Sequence, residues 1–151
     1  MNILKKIEHL IRSKRKSFIA KISTSIFGKR PFNTIFSFNY HNISHIVKFQ
    51  KKQIKKYITQ KDYTLLDVGG GGSPYYMLFE EYISEYIVVD MKSSLPTNEN
   101  RIIIQKEGFA EDLPIDTNTI DVVVSHQVLE HVNNDLKAVK ETCRVLKKNG
   151  T

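Results

Sequence analysis

The segment Tyr63-Thr-Leu-Leu-Asp-Val-Gly-Gly-Gly-Gly-Ser-Pro74 joins two local signals. Tyr63 to Val68 is rich in apolar and β-branched side chains, which predicts a buried strand. Four glycines follow, and a glycine run permits a tight turn and close backbone approach. Ser73 suits a helix N-cap and Pro74 the first helical position, so a helix is expected over 75–83. In a strand, glycine-turn, helix order the turn cradles a ligand more often than it serves as a linker. The ligand's class follows from what is missing. Neither Gly69 nor Gly70 starts a complete G-x-G-x-x-G, because Pro74 and Tyr75 fall where the third glycine belongs. No Gly-Lys-Ser/Thr ends the run, which argues against a P-loop. Asp67 beside the turn disfavours a pyrophosphate and favours a cationic ligand.

Further along, Tyr86-Ile-Val-Val-Asp90 predicts a second strand ending in an acid, 21 residues after Gly69. One carboxylate at that spacing can accept both hydroxyl hydrogens of a ribose. Arg101 to Gln105 predicts a third strand, and Thr119 to Ser125 a fourth. Between them lies Gly108-Phe-Ala-Glu-Asp-Leu-Pro-Ile115, and after them His126-Gln-Val-Leu-Glu-His-Val132. Asn133 or Asn134 can cap a closing helix with an apolar stripe of Val132, Leu136, Val139, Cys143 and Leu146. Cys143 then reads as a small core residue.

Four of these signals together resemble the Rossmann-like S-adenosylmethionine-dependent methyltransferases. They are Asp67-x-Gly69-x-Gly71, the strand-end Asp90, the Leu113-Pro114 segment and Leu129-Glu-His131. The resemblance covers Leu65 to Gly150. Ser73 stands where the family often has a third glycine, and Phe109 where many relatives have an adenine-binding Asp. The resemblance implies an α/β fold, a parallel sheet with flanking helices, of which about four of seven strands are present. It implies S-adenosylmethionine as cofactor, held by Asp67, Gly69, Gly70, Gly71, Asp90, Met91, Ala110, Glu111 and Ser125. A base is needed only if the acceptor must lose a proton, and His126 at the strand end is the better placed of the two nearby imidazoles. His131 reads as structural.

The charge is unevenly spread. Met1 to Lys61 holds 15 Lys and Arg against one acid, +14, whereas Asp62 to Thr151 holds 8 against 15, −7, together +7. Residues 1–61 therefore read as a basic helical arm and 62–151 as the cofactor-binding part of a methyltransferase domain. Two amphipathic runs are expected in the arm. The first spans Ile3 to Ile26. The second carries Ile43, Ile46, Val47, Ile54, Tyr57 and Ile58 on one face and five lysines mostly on the other. The arm suits packing on the domain, the surface of an anionic membrane, or phosphate. No nucleic-acid module is recognisable, which disfavours the last. His41 and His45 lack a third ligand, so no metal is expected. One cysteine excludes an internal disulfide, and no stretch reaches the roughly 20 apolar residues of a membrane span. A cytoplasmic chain is expected, with the arm suited to the inner face of a membrane.

Two functional classes stay open. One is a methyltransferase acting on a small-molecule, glycan or lipid-linked acceptor. The other is a non-catalytic module that binds the same cofactor. A truncated sheet would leave the fourth strand's edge unpaired, to be completed by a partner chain.

Overall fold

The computed structural model describes residues 28–29, 32–33, 40–91 and 103–151. The chain divides into two compact units, Met1–Phe49 and Gln50–Thr151, each described by itself. In the first, β1 (Gly28–Lys29) pairs antiparallel with β2 (Phe32–Asn33). Helix α1 (Tyr40–Tyr57) begins there and runs into the second unit. Its Ile43, Val47 and Ile54 are buried, as is Ile58 just past its end, in keeping with their spacing, while Ile46 is half-buried. Tyr57 departs from that pattern and is 46% exposed, and Gln50 is buried on the apolar face. The expected run over Ile3 to Ile26 lies outside the described residues.

The second unit holds a parallel sheet of β3 (Tyr63–Val68), β4 (Ile83–Asp90), β5 (Ile103–Glu107) and β6 (Val122–Ser125), in the order β5-β4-β3-β6. Leu65, Leu66, Asp67 and Val68 are all buried, as are Tyr86 to Val89. Continuous burial without alternation is what central parallel strands show when both faces are covered. Leu66, Val68, Ile87 and Val89 share one face, where Leu113, Ile115, Ile120 and Val145 pack on them.

Three expectations shift. The helix expected over 75–83 is a single 3-10 turn, Tyr76–Leu78. Ser73 has φ +53°, which takes it out of the extended conformation an N-cap needs. In addition, β4 begins already at Ile83, paired with Tyr63, which leaves too few residues for a stable helix. Strand β5 is described over Ile103–Glu107, two residues past its expected end at Gln105, and Asp90 pairs with Glu107. Strand β6 is shorter than expected because Ile120 bridges Leu146 and the Asp121 N–H bonds to Thr64 O.

Helix α2 (Asp135–Val145) is capped by Asn134, whose side chain accepts from Lys137 N. Its inward face is Ala138 and Val145; of the expected stripe only Leu146, just past the helix, packs against the core. Leu136 is 60% exposed, Val139 47%, and Cys143 is exposed, so Cys143 is not a core residue. Polar anchors set this rotation. Glu141 accepts from Leu113 N, while Arg144 donates to Leu113 O, Ile115 O and Glu141. These bonds turn the Glu141 side of the helix toward the Leu113-Pro114 segment and Leu136, Val139 and Cys143 outward. Beyond β6, Thr151 donates to Asp121 O and accepts from Val123 N, a parallel rung along the strand's outer edge.

Candidate functional site

The carboxyl ends of β3, β4 and β6 meet at the glycine turn. Gly69 and Gly71 have φ +71° and +46°, a region open to glycine. A Cβ on Gly69 would lie 2.3 Å from Val128 Cγ2, and one on Gly70 2.4 Å from the Asp67 carboxylate. Gly72, by contrast, faces open space. The turn is therefore drawn tight against its neighbours on the inside.

Asp90 binds this turn directly. Its Oδ2 accepts from Gly71 N at 2.8 Å and its Oδ1 from Met91 N at 2.7 Å. Each oxygen keeps a lone pair free for a ligand hydroxyl. In front of it lies a cavity of about 380 Å³ bordered by Gly69, Met91, Phe109, Glu111, Val128 and His131. That size suits a small-molecule ligand. Met91 and Phe109 are 51% and 62% exposed, so they offer apolar surface to a flat ring. Ala110 and Ser125 line a neighbouring cavity of about 310 Å³, which shares Gln127 and Val128 with the first. Glu111 is tied up by Asn133 N at 2.8 Å and Asn134 N at 3.4 Å. Backbone N–H groups of its own residue and of Asn133 hold its carboxyl below the usual range. Its placement is that of a clamp between the loop and α2.

Asp67 lies under the turn rather than in the cavity. It is 2% exposed, and its Oδ2 accepts from the Tyr86 hydroxyl at 2.6 Å. Burial pushes its carboxyl from 3.8 up to about 7; the Tyr86 bond opposes the rise, and Asp90 adds to it. The same burial, with Asp67 alongside, pushes the Tyr86 hydroxyl up. Between the two Asp67 values the folded protein keeps a proton that the unfolded chain releases. This contribution to stability is fully present below 3.8 and is lost as pH rises through about 7. Asn does not titrate and still accepts from Tyr86. Asp67→Asn should therefore stabilise the fold at about pH 8.5 by an amount on the order of 2 kcal/mol, read as a higher thermal midpoint, with the gain shrinking toward about pH 5. Scanning calorimetry across that range checks it. A gain independent of pH would refute the assignment.

His126 follows β6. Its ring lies 4.8 Å from the buried Tyr75 ring, centroid to centroid, and meets the side-chain amide of Gln50. Burial lowers its pKa. His131 borders the large cavity and donates its backbone N–H to Val128 O. The structure thus gathers Gly69, Asp90, Met91 and Glu111 around one cavity and Ala110 and Ser125 around the next. Gly71 is held by Asp90, and Asp67 and Gly70 lie beneath. Sequence reasoning missed Val128, which walls both cavities and presses on Gly69, and Gln127, whose φ is +56°. Neither carries a distinctive chemical group. It also missed Gln50, whose only signal was a polar residue on an apolar helix face.

Known proteins share this fold. The chain is 33% identical over 100 residues to the uncharacterised protein MJ0638 of Methanocaldococcus jannaschii, covering 64% of this chain and 42% of that protein. It is 28% identical over 105 residues to the uncharacterised methyltransferase YcgJ of Bacillus subtilis, with the same coverage. The crystal structure of YcgJ superposes with a TM-score of 0.62 at 26% identity, covering 71% of this chain and 48% of that one. A SAM-dependent methyltransferase of Thermotoga maritima superposes at 0.51 and 20% identity, covering 74% and 54%, a likeness of fold. The chain spans less than half the length of the curated relatives it matches. The methyltransferase domain family matches residues 66–151, more than half of the chain and all of the cavity-lining residues named above, and the chain belongs to that family.

Proposed function

We propose that this protein binds S-adenosylmethionine at the β3–β4–β6 rim and transfers its methyl group to an acceptor. The observation that carries the reading is Asp90, fixed by Gly71 N and Met91 N with lone pairs turned to a cavity of ligand size. The residues present fit the cofactor. Gly69 and Gly70, without room for a Cβ, keep the turn's backbone close, and no phosphate-binding lysine is required of it. When bound, S-adenosylmethionine supplies a methyl group activated by its sulfonium. Asp90 would accept from the ribose hydroxyls, and Met91 and Phe109 would flank the adenine. Ser125 and His126 would stand at the reacting end, with His126 taking the acceptor's proton. The rest of the protein's work is to hold donor and acceptor in line.

Titration calorimetry with S-adenosylhomocysteine tests this. Saturable binding is expected, with NAD failing to compete. Binding of NAD without binding of S-adenosylhomocysteine would overturn it. Acceptors of small-molecule, glycan or lipid-linked type are all compatible, and the Thr151 rung on the outer edge of β6 supports a further parallel strand there, from a partner chain. Among the described residues no helix is long and apolar enough to cross a membrane. Lys48, Lys51, Lys52, Lys55 and Lys56 of the basic arm are exposed on α1, which supports an anionic surface as its contact.

A further inference from the structure

We propose that Asp67, set beneath the glycine turn, is a specificity-determining residue that favours the sulfonium donor over its demethylated product. The inference rests on the methyl-transfer reading above and adds how that site tells the two forms of the cofactor apart.

Three consecutive glycines carry the geometry. Gly69 borders the large cavity. A Cβ on Gly70 would lie 2.4 Å from Asp67 Oδ2, so the carboxylate rests directly against that residue. Gly71 N is held by Asp90, which also borders the cavity. Backbone without side chains therefore stands between Asp67 and the ligand space. Such a partition prevents contact but not the action of charge, which is weakly screened along a buried path.

The groups that face Asp67 leave its charge unbalanced. On β4 the Tyr86 hydroxyl donates to it, and Asp90 adds a second negative charge. Tyr76, in the 3-10 turn, stands edge-on to the Tyr86 ring with 5.3 Å between centroids. On the other side, β6 sets Val124 opposite Asp67. Among the described residues no lysine, arginine or histidine pairs with it. A buried carboxylate without a cation keeps its proton, and burial keeps this one protonated up to about 7.

A positive charge across the turn supplies what is missing. With the donor in place, Asp67 gives its proton to solvent, and the Tyr86 hydroxyl goes on donating to the ionised carboxylate. Once the methyl group has left, the sulfur keeps the electron pair of the broken bond and is neutral. Asp67 has then lost its counter-charge and takes a proton back from solvent. The amino and carboxyl groups are common to donor and product and cancel in the comparison. Selectivity for the donor is therefore greatest where Asp67 can ionise, and it falls where acid keeps Asp67 protonated in both complexes. A difference of one pH unit in the Asp67 midpoint between the two complexes is a tenfold change in their affinity ratio.

Titration calorimetry on the whole chain, with S-adenosylmethionine and S-adenosylhomocysteine between about pH 5.5 and about pH 8.5, tests this without a known acceptor. The donor-to-product affinity ratio should rise about tenfold across that range. Exchanging product for donor near about pH 6.5 should release about half a proton, read from the heats in two buffers of different ionisation enthalpy. In Asp67→Asn the ratio should stay at its acid value and the proton release should vanish. Tyr86→Phe removes the bond that opposes protonation of Asp67 and should move the rise to higher pH, which keeps a second variant available if the asparagine chain does not fold. A flat ratio in the wild type, a rise that persists in Asp67→Asn, or an unmoved rise in Tyr86→Phe would overturn the proposal. If neither compound binds at any pH, the methyl-transfer reading falls. If both bind with a ratio that ignores pH, only the present inference falls.

Discussion

Asp90→Ala should weaken S-adenosylhomocysteine binding by about 100-fold or more while the chain stays folded. The carboxylate is held from behind by Gly71 N and Met91 N, so its orientation is fixed before any ligand arrives. Two hydrogen bonds from ribose hydroxyls to a charged acceptor contribute on the order of 3 kcal/mol together, which is the stated loss in affinity. The substitution also frees Gly71 N, and the turn it anchors loosens. Asp90→Asn separates the two effects. Its oxygen replaces one acceptor, but its NH2 must face one of the two backbone N–H groups, so an intermediate loss is expected. Calorimetric affinities for the three proteins decide the matter. An Asp90→Ala affinity within threefold of the wild type would remove the ribose role.

The largest effect on stability should come from Gly69→Ala. The residue has φ +71°, where a side chain costs on the order of 1 kcal/mol, and its new Cβ would sit 2.3 Å from Val128 Cγ2. Strain and overlap together should cost about 3 kcal/mol, a fall in thermal midpoint of roughly 10 °C or more for a unit of this size. Val128→Ala in the same chain removes the obstructing methyl and should return part of the loss. Gly72→Ala is the contrast, since nothing lies within 4 Å of its Cβ, and its midpoint should stay close to wild type. Equal losses at Gly69 and Gly72 would mean that the turn is not packed as described.

The parts of the fold legible in the sequence were those written in local chemistry. A run of apolar residues before four glycines marked β3, and an acid ending a second run marked Asp90 at the edge of the cavity. Parallel order was implied by the family resemblance those motifs carry, and the sheet shows it. What stayed illegible depended on partners distant in sequence. The face of α2 was set by Glu141 and Arg144 gripping the Leu113–Ile115 backbone, and hydropathy alone pointed to the opposite side. The helix after Pro74 failed because β4 claims residues back to Ile83 through pairing with β3. Asp67 looked like a ligand-facing charge, yet Tyr86, 19 residues away, takes it inward. Gln50 and His126 are 76 residues apart, and no local pattern joins them.

The bond between Tyr86 and Asp67 also gives the molecule an optical readout. The chain has seven tyrosines and no tryptophan, so its ultraviolet emission is phenolic throughout. A phenol grows more acidic on excitation, and one already bonded to a carboxylate surrenders its proton and is quenched. Tyr86 should therefore brighten when Asp67 becomes protonated. Neutralisation beneath the glycine turn could then be followed by emission, with no label attached.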